Sequence, residues 1–197
     1  MSNFLAIDTS SRYLTVAAVK DGKTALRHLP DCAMRHSVML MSEIDKAMNE
    51  VGLAPADCDF FAAVTGPGSF TGIRIGVSAA KGFALGADKP LVSITSFELI
   101  AYNVTDNIFY TVIDAAHGHY YVCGYGDGEI ILQPCYMSGE EIGKLGAPLY
   151  GFEDLPLENY TRVDVTKSLC PAALAAKPSR EMYALYVRKS QAEEARK

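Results

Sequence analysis

Several features are missing from this chain of 197 residues. No run approaches eighteen consecutive apolar residues, so no helical membrane span is expected. No basic block exceeds two residues, and the formal net charge is −5. A protein that grips nucleic acid alone usually carries a basic stripe, so any contact with RNA is expected to run through a partner. The first residues (Phe4-Leu5-Ala6-Ile7) read as strand and lack the basic and long apolar regions of a secretory signal. The five cysteines (Cys32, Cys58, Cys123, Cys135 and Cys170) are scattered and never spaced as CxxC. That pattern argues against a disulfide or zinc framework and for free thiols in a reducing, cytoplasmic setting. No HExxH pair occurs, so a zinc peptidase is not expected. His36 stands without a second histidine in its segment and reads as a helix-start residue satisfying backbone groups.

What is present is a glycine-rich string. Residues 65–76 read TGPGSFTGIRIG. Apolar Phe60–Val64 leads in and a run rich in small residues, 77–86, leads out, which is the pattern of strand, glycine turn and helix. Gly66 and Gly68 admit backbone angles that a Cβ resists, Pro67 fixes φ between them, and Ser69 or Thr71 can cap the helix. The N–H groups at such a helix start could hold a phosphate, or the hydroxyls could satisfy them with no ligand. The P-loop frame fails, because Gly72 is followed by Ile73 and Arg74 where Lys and a hydroxyl are needed. The nucleophile elbow fails as well, because Gly68 is directly adjacent to Ser69. Along the helix, Gly72, Gly76 and Ala80 recur every four residues, with Ile75, Ala79 and Phe83 beside them. Small residues at this spacing permit close approach of another helix, and each interior glycine costs about 1 kcal/mol relative to Ala. A packing reason is therefore expected, either in another molecule's helices or in the protein's own sheet or first helix.

The chain also repeats itself. Ala6-Ile7-Asp8-Thr9 and Val112-Ile113-Asp114-Ala115 are both apolar strands ending in Asp, 106 residues apart. Asp21-Gly22 and Asp127-Gly128 follow at the same offset, and Asp-Gly between strands is a strong hairpin signal. Each half therefore opens with three strands. In the first half a helix over 36–51 follows, with Met41, Ile44, Met48 and Val51 at helical spacing and Gly52 as the stop. Strand Phe60–Val64, the glycine-loop helix, a strand over 91–95 and a helix over 96–104 complete it. The second half continues with a short helix near 138–145, strands near Leu149 and over 162–165, and a helix over 169–176. A segment over 182–197 is expected to pack back on the body. The division is into 1–104 and 105–197, and two linked βββαβα units of ribonuclease-H type are the plan of the actin, Hsp70 and sugar-kinase superfamily.

Active members of that superfamily bind nucleotide between the halves, using an Asp-containing turn from each. Asp8 followed by Thr9 and Ser10 could face a phosphate. Asp114 is followed by Ala115 and Ala116, which do not let backbone approach a phosphate as glycine does, and no Gly-Gly pair follows Gly128. The plainer reading is that Asp8 and Asp114 each end a strand and cap the next turn. His117 and His119, two apart, would point the same way on a strand, but no third ligand accompanies them, so no metal is expected.

GPGSFTGIRIG resembles the signature of the TsaB (YeaZ) family, subunits of bacterial tRNA threonylcarbamoyladenosine synthesis. The resemblance extends to Ala6-Ile7-Asp8-Thr9-Ser10, His36-Ser37, Ala80-Lys81-Gly82, Ile113-Asp114-Ala115 and Leu185-Tyr186-Val187-Arg188-Lys189. Ala116 stands where the family usually has Arg, Ala184 stands where it usually has Pro, and the second half is short. The resemblance implies a subunit that is not itself the catalyst and has no cofactor of its own, with ATP or ADP only at a subunit junction. It implies docking of TsaD, which transfers the threonylcarbamoyl group to N6 of adenosine 37 in tRNAs reading codons that start with A, and recruitment of the ATPase TsaE. It also implies homodimers through the helices offered to TsaD. Residues expected at that surface are His36, Met39, Leu40, Gly72, Arg74, Ile75, Gly76, Ala79 and Phe83. The signature loop is Gly66, Pro67, Gly68, Ser69, Phe70 and Thr71, and a vestigial nucleotide site would use Asp8, Thr9, Ser10 and Asp114. The alternative within the superfamily is a small nucleotide-binding ATPase or kinase.

Overall fold

The computed structural model describes residues 2–188. Strands β1 (Phe4–Asp8), β2 (Leu14–Lys20) and β3 (Lys23–Leu29) form an antiparallel meander. Asp21 and Gly22 turn the second hairpin with φ of 51° and 79°, the pair of left-handed residues that a two-residue turn matched to strand twist demands. Helix α1 (His36–Val51) stops at Gly52, which takes the left-handed capping conformation. Strand β4 (Phe60–Val64) lies parallel to β1. Helix α2 (Phe70–Ala87), strand β5 (Leu91–Ile94) and helix α3 (Ser96–Ala101) complete the half, and its sheet runs in the order β3-β2-β1-β4-β5.

The second half repeats the plan. Strands β6 (Ile108–Asp114), β7 (His119–Gly126) and β8 (Glu129–Ser138) form the meander, and Asp127 and Gly128 turn it at φ of 52° and 82°. Then come helix α4 (Gly139–Ile142), strands β9 (Leu149–Gly151) and β10 (Tyr160–Arg162), and helix α5 (Leu169–Ala175). The sheet order β10-β9-β6-β7-β8 matches the first half strand for strand. The fold is therefore the duplicated α/β architecture of the actin, Hsp70 and sugar-kinase type. Where the first half has the 16-residue α1, the second has a four-residue helix. Where the first half has the 18-residue α2 between its parallel strands, the second has a loop over 152–159.

Several boundaries differ from the sequence pattern; helix α4 ends at Ile142, short of 145. The last strand occupies Tyr160–Arg162, because Asp164 accepts from the Thr166 N–H and hydroxyl and bends 165–167 into a 3₁₀ turn. Helix α3 ends at Ala101, short of 104.

Strand β1 is buried on both faces, as a central strand covered on each side must be. Leu5 and Ile7 face α1 and α2, meeting Leu40, Ile44, Ile73 and Val77. Phe4 and Ala6 face the core between the two sheets, with Phe97, Phe109, Ile113 and Leu169. Helix α3 packs on β6, β7 and β9, and α5 packs on β1 and β5, so the last helix of each half lies on the other half's sheet. The segment after α5 returns to the first half: Ser179 bridges Leu91, Met182 is buried, and the Leu185 N–H donates to the Thr65 carbonyl at 2.8 Å. The remainder of the expected returning segment, 189–197, lies outside the described residues. No helix among the described residues is long and apolar enough to cross a membrane.

Candidate functional site

The signature loop closes over the end of β1. Gly66 and Gly68 take φ of 104° and 152°, on either side of a cis Gly66–Pro67 bond. Gly68 lies against the Ser10 carbonyl so closely that a Cβ there would overlap its oxygen, and the Ser69 N–H donates to that same oxygen at 2.7 Å. The Ser69 hydroxyl caps α2 by accepting from the Gly72 N–H at 3.2 Å. Thr71, the other capping candidate, is exposed. The Thr9 hydroxyl donates to the Gly72 carbonyl at 2.7 Å. Asp8 holds the turn from beneath, its Oδ1 accepting from the Ser10 N–H at 2.9 Å and the Ser10 hydroxyl at 2.7 Å.

This arrangement corrects the vestigial nucleotide site. Thr9 and Ser10 are wholly buried beneath the signature loop, whose Gly68 lies against the Ser10 carbonyl. Asp114 is exposed, caps its own turn through the Ala116 N–H at 2.9 Å, and donates its N–H to Glu153. Between the halves sits Tyr13, its ring edge-on to Phe152 at 5.5 Å. The Tyr13 hydroxyl and Asp8 Oδ2 are both buried, and the two groups interact with each other. Burial raises the Asp8 carboxyl above its usual range, and burial followed by the charge of Asp8 does the same to the Tyr13 phenol. Burial also raises Glu153.

The glycine stripe is corrected as well. Gly72 and Gly76 face inward: a Cβ at Gly76 would stand 2.5 Å from Thr9 Oγ1 and 3.4 Å from Ile7 Cγ2. Ala80 and Leu40 are buried in the same core. His36 is buried and its Nε2 pairs with the Tyr13 carbonyl at 2.9 Å, tying α1 to the β1–β2 turn. These residues join the chain to itself and are not available at a surface. Ile75, Ala79, Phe83 and Met39 are half-buried. Arg74 is exposed; its guanidinium lies 3.7 Å over the Phe70 ring and donates to the Tyr186 hydroxyl at 2.9 Å.

The outward faces of α1 and α2 carry other residues. Leu85 is 86% exposed, Val38 74% and Met41 54%. Met41 thus leaves the core stripe to which helical spacing assigns it. Gly82 and Gly86 have open space around them. Ser78, Gly82 and Gly86 form a second row of small residues at four-residue spacing, a signal present in the sequence but overshadowed by the glycines of the signature string.

Titratable chemistry elsewhere is muted. Burial pushes the Cys58 and Cys123 thiols up to about 11, which removes the thiolate that a nucleophile needs. All five cysteines are free. His117 lies in a turn at positive φ and not on the strand, while His119 stacks on Tyr136 at 4.8 Å. No three His, Cys, Asp or Glu side chains among the described residues cluster closely enough to hold a metal.

Comparison with known proteins places this architecture. Residues 29–162 match the family described as TsaD, tRNA N6-adenosine threonylcarbamoyltransferase. The tRNA threonylcarbamoyladenosine biosynthesis protein TsaB of Bacillus subtilis is 34% identical over 59% of this chain and 52% of its own length. TsaB of Escherichia coli is 35% identical over 49% of this chain and 42% of its own. A tRNA N6-adenosine threonylcarbamoyltransferase of Anaeromyxobacter dehalogenans is 31% identical over 88% of this chain and 59% of its own. The chain thus spans about half the length of the curated relatives it matches. YeaZ from Pseudomonas aeruginosa shares the fold, with a TM-score of 0.75 at 21% identity over 94% of this chain and 100% of that one. Its sequence signature, duplicated fold and relatives agree: the chain belongs to the TsaB (YeaZ) family, within the wider group that includes the threonylcarbamoyltransferases.

Proposed function

We propose that this chain is a non-catalytic subunit of tRNA threonylcarbamoyladenosine synthesis that docks the catalytic subunit TsaD and helps recruit the ATPase TsaE. In the absence of TsaD it self-associates through the same surface. The observation that carries this reading is the set of apolar side chains that the two helices leave in solvent, Val38 and Met41 on α1 and Leu85 on α2, with Gly82 and Gly86 open on α2. Apolar surface left open on helices is where a partner docks, and an interface of standard size would bury about 1,600 Å² in total. The closed turn at Thr9 and Ser10 supports a subunit without nucleotide chemistry of its own, with ATP or ADP confined to a junction between subunits. With a net charge of −5, tRNA is reached through the complex, in the cytoplasm.

The test is co-purification with the cognate TsaD, comparing the natural chain with a Val38→Glu, Leu85→Glu double variant. Exposed substitutions of this kind usually change stability by no more than about 0.5 kcal/mol. Association should be lost while the thermal melt is kept. Retention of TsaD by the folded variant at the natural level would refute the assignment of this face.

A further inference from the structure

A groove of about 570 Å³ opens where the end of the first half meets the second, between α3, the loop that follows it and the β7–β8 hairpin. This volume lies within the usual range of small-ligand sites, about 300–1,000 Å³. Its floor is a cross-strand ladder. Phe109 on β6 pairs with Tyr125 on β7, which pairs with Ile130 on β8. The Phe109 and Tyr125 rings stack at 5.2 Å and 16°. Tyr102, 48% exposed, stands at the rim, and Ile130 leaves 47% of its surface open. Three carboxylates line the same groove (Glu98, Asp106 and Glu129), and none of the described residues lining it carries a positive charge. Glu98 Oε2 is held by the Thr95 N–H and hydroxyl, and Asp106 Oδ2 by the Tyr150 hydroxyl at 2.6 Å. The remaining oxygen of each has no hydrogen-bond donor from the described residues, and the same is true of the exposed Glu129. The Tyr125 side chain is nine-tenths buried, with the Cys123 thiol beside its hydroxyl.

We propose that this groove binds a small organic cation, an ammonium or guanidinium carried on a short apolar body. Aromatic faces attract cations through the ring quadrupole, and carboxylates on the rim add Coulomb attraction that salt screens. An anionic ligand would meet only carboxylates here, and a purely apolar one would leave them unused. The site is lined by α3, the loop after it and the second sheet, with no residue of α1 or α2, and does not depend on the docking reading.

Choline and its neutral carbon analogue 3,3-dimethyl-1-butanol are the probes, titrated against the full chain by ligand-observed NMR. The natural protein should bind choline saturably and more tightly than the alcohol. A Glu129→Gln, Tyr102→Ala double variant, altered only at exposed positions, should bind choline roughly four- to twentyfold more weakly, each change contributing about two- to fivefold. Circular dichroism of the variant checks that the fold is kept. Saturable choline binding that the alcohol does not match and that the folded variant weakens supports the site. Failure of any one of these three results overturns it.

Discussion

Gly76→Ala sets a methyl group 2.5 Å from Thr9 Oγ1 and 3.4 Å from Ile7 Cγ2. The first separation is roughly 1 Å short of ordinary contact. Thr9 is wholly buried, and its hydroxyl is bonded to the Gly72 carbonyl at 2.7 Å. Rotating that hydroxyl away breaks the bond and strands a buried polar group, at about 1–3 kcal/mol. Moving α2 off the sheet costs a similar amount through overpacking, about 1–3 kcal/mol. Replacing Gly by Ala inside a helix returns about 1 kcal/mol. The net expectation is a loss of up to about 2 kcal/mol, which lowers the melting temperature by up to about 8 °C in a chain of this size. Gly82→Ala is the paired control: the helix is the same, nothing lies within 4 Å of the new methyl, and the propensity gain of up to about 1 kcal/mol acts unopposed. Thermal melts followed by circular dichroism should therefore move in opposite directions. If Gly76→Ala melts at or above the natural protein, Gly76 does not lie against Thr9 and the inward assignment of the stripe is wrong.

Three further expectations concern stability. Ser69→Ala removes the cap from α2 and should cost about 1 kcal/mol in urea unfolding; an unchanged midpoint would mean the hydroxyl caps nothing. Met182→Ala should cost about 2–5 kcal/mol, because that side chain is 1% exposed within the first-half core; a loss under about 0.5 kcal/mol would show that the returning segment does not pack there. The third expectation is a pH dependence. Burial raises the folded carboxyl of Asp8 above its ordinary value of 3.8. The folded state then holds the proton more tightly than the unfolded chain, so this contribution is fully present below 3.8 and is lost as pH rises through the folded value. Asp8→Asn lacks that slope. The stability difference, natural minus variant, should fall as pH rises from the ordinary value of 3.8 through the raised folded value, and a difference that rises instead would refute the sign.

The sequence was most legible where local chemistry fixes local shape. Asp21-Gly22 and Asp127-Gly128 each demand two left-handed residues, and both take them. Their shared offset marks the duplication, which the matching strand orders bear out. Gly52 stops α1, and Ser69 and Thr95 cap the helices they precede. The glycine stripe was legible as a close-approach surface but not as to what approaches. The answer is Thr9, 63 residues away in sequence, and periodicity carries no information about a partner at that range. Met41 was misplaced for a related reason, since one helical stripe of apolar residues does not say where the sheet ends and solvent begins. The exchange of α3 and α5 between the halves had no local signal, because it follows from how the two sheets pack.

On the proposed function, the chemistry takes place on another molecule while this chain provides the seat. The direct measurement is threonylcarbamoyl transfer to tRNA by the purified chain, assayed alone and again with the cognate TsaD and TsaE. No modified adenosine is expected from the chain alone, and modification is expected when the partners are added. Modified tRNA produced by the chain on its own would contradict the proposed function.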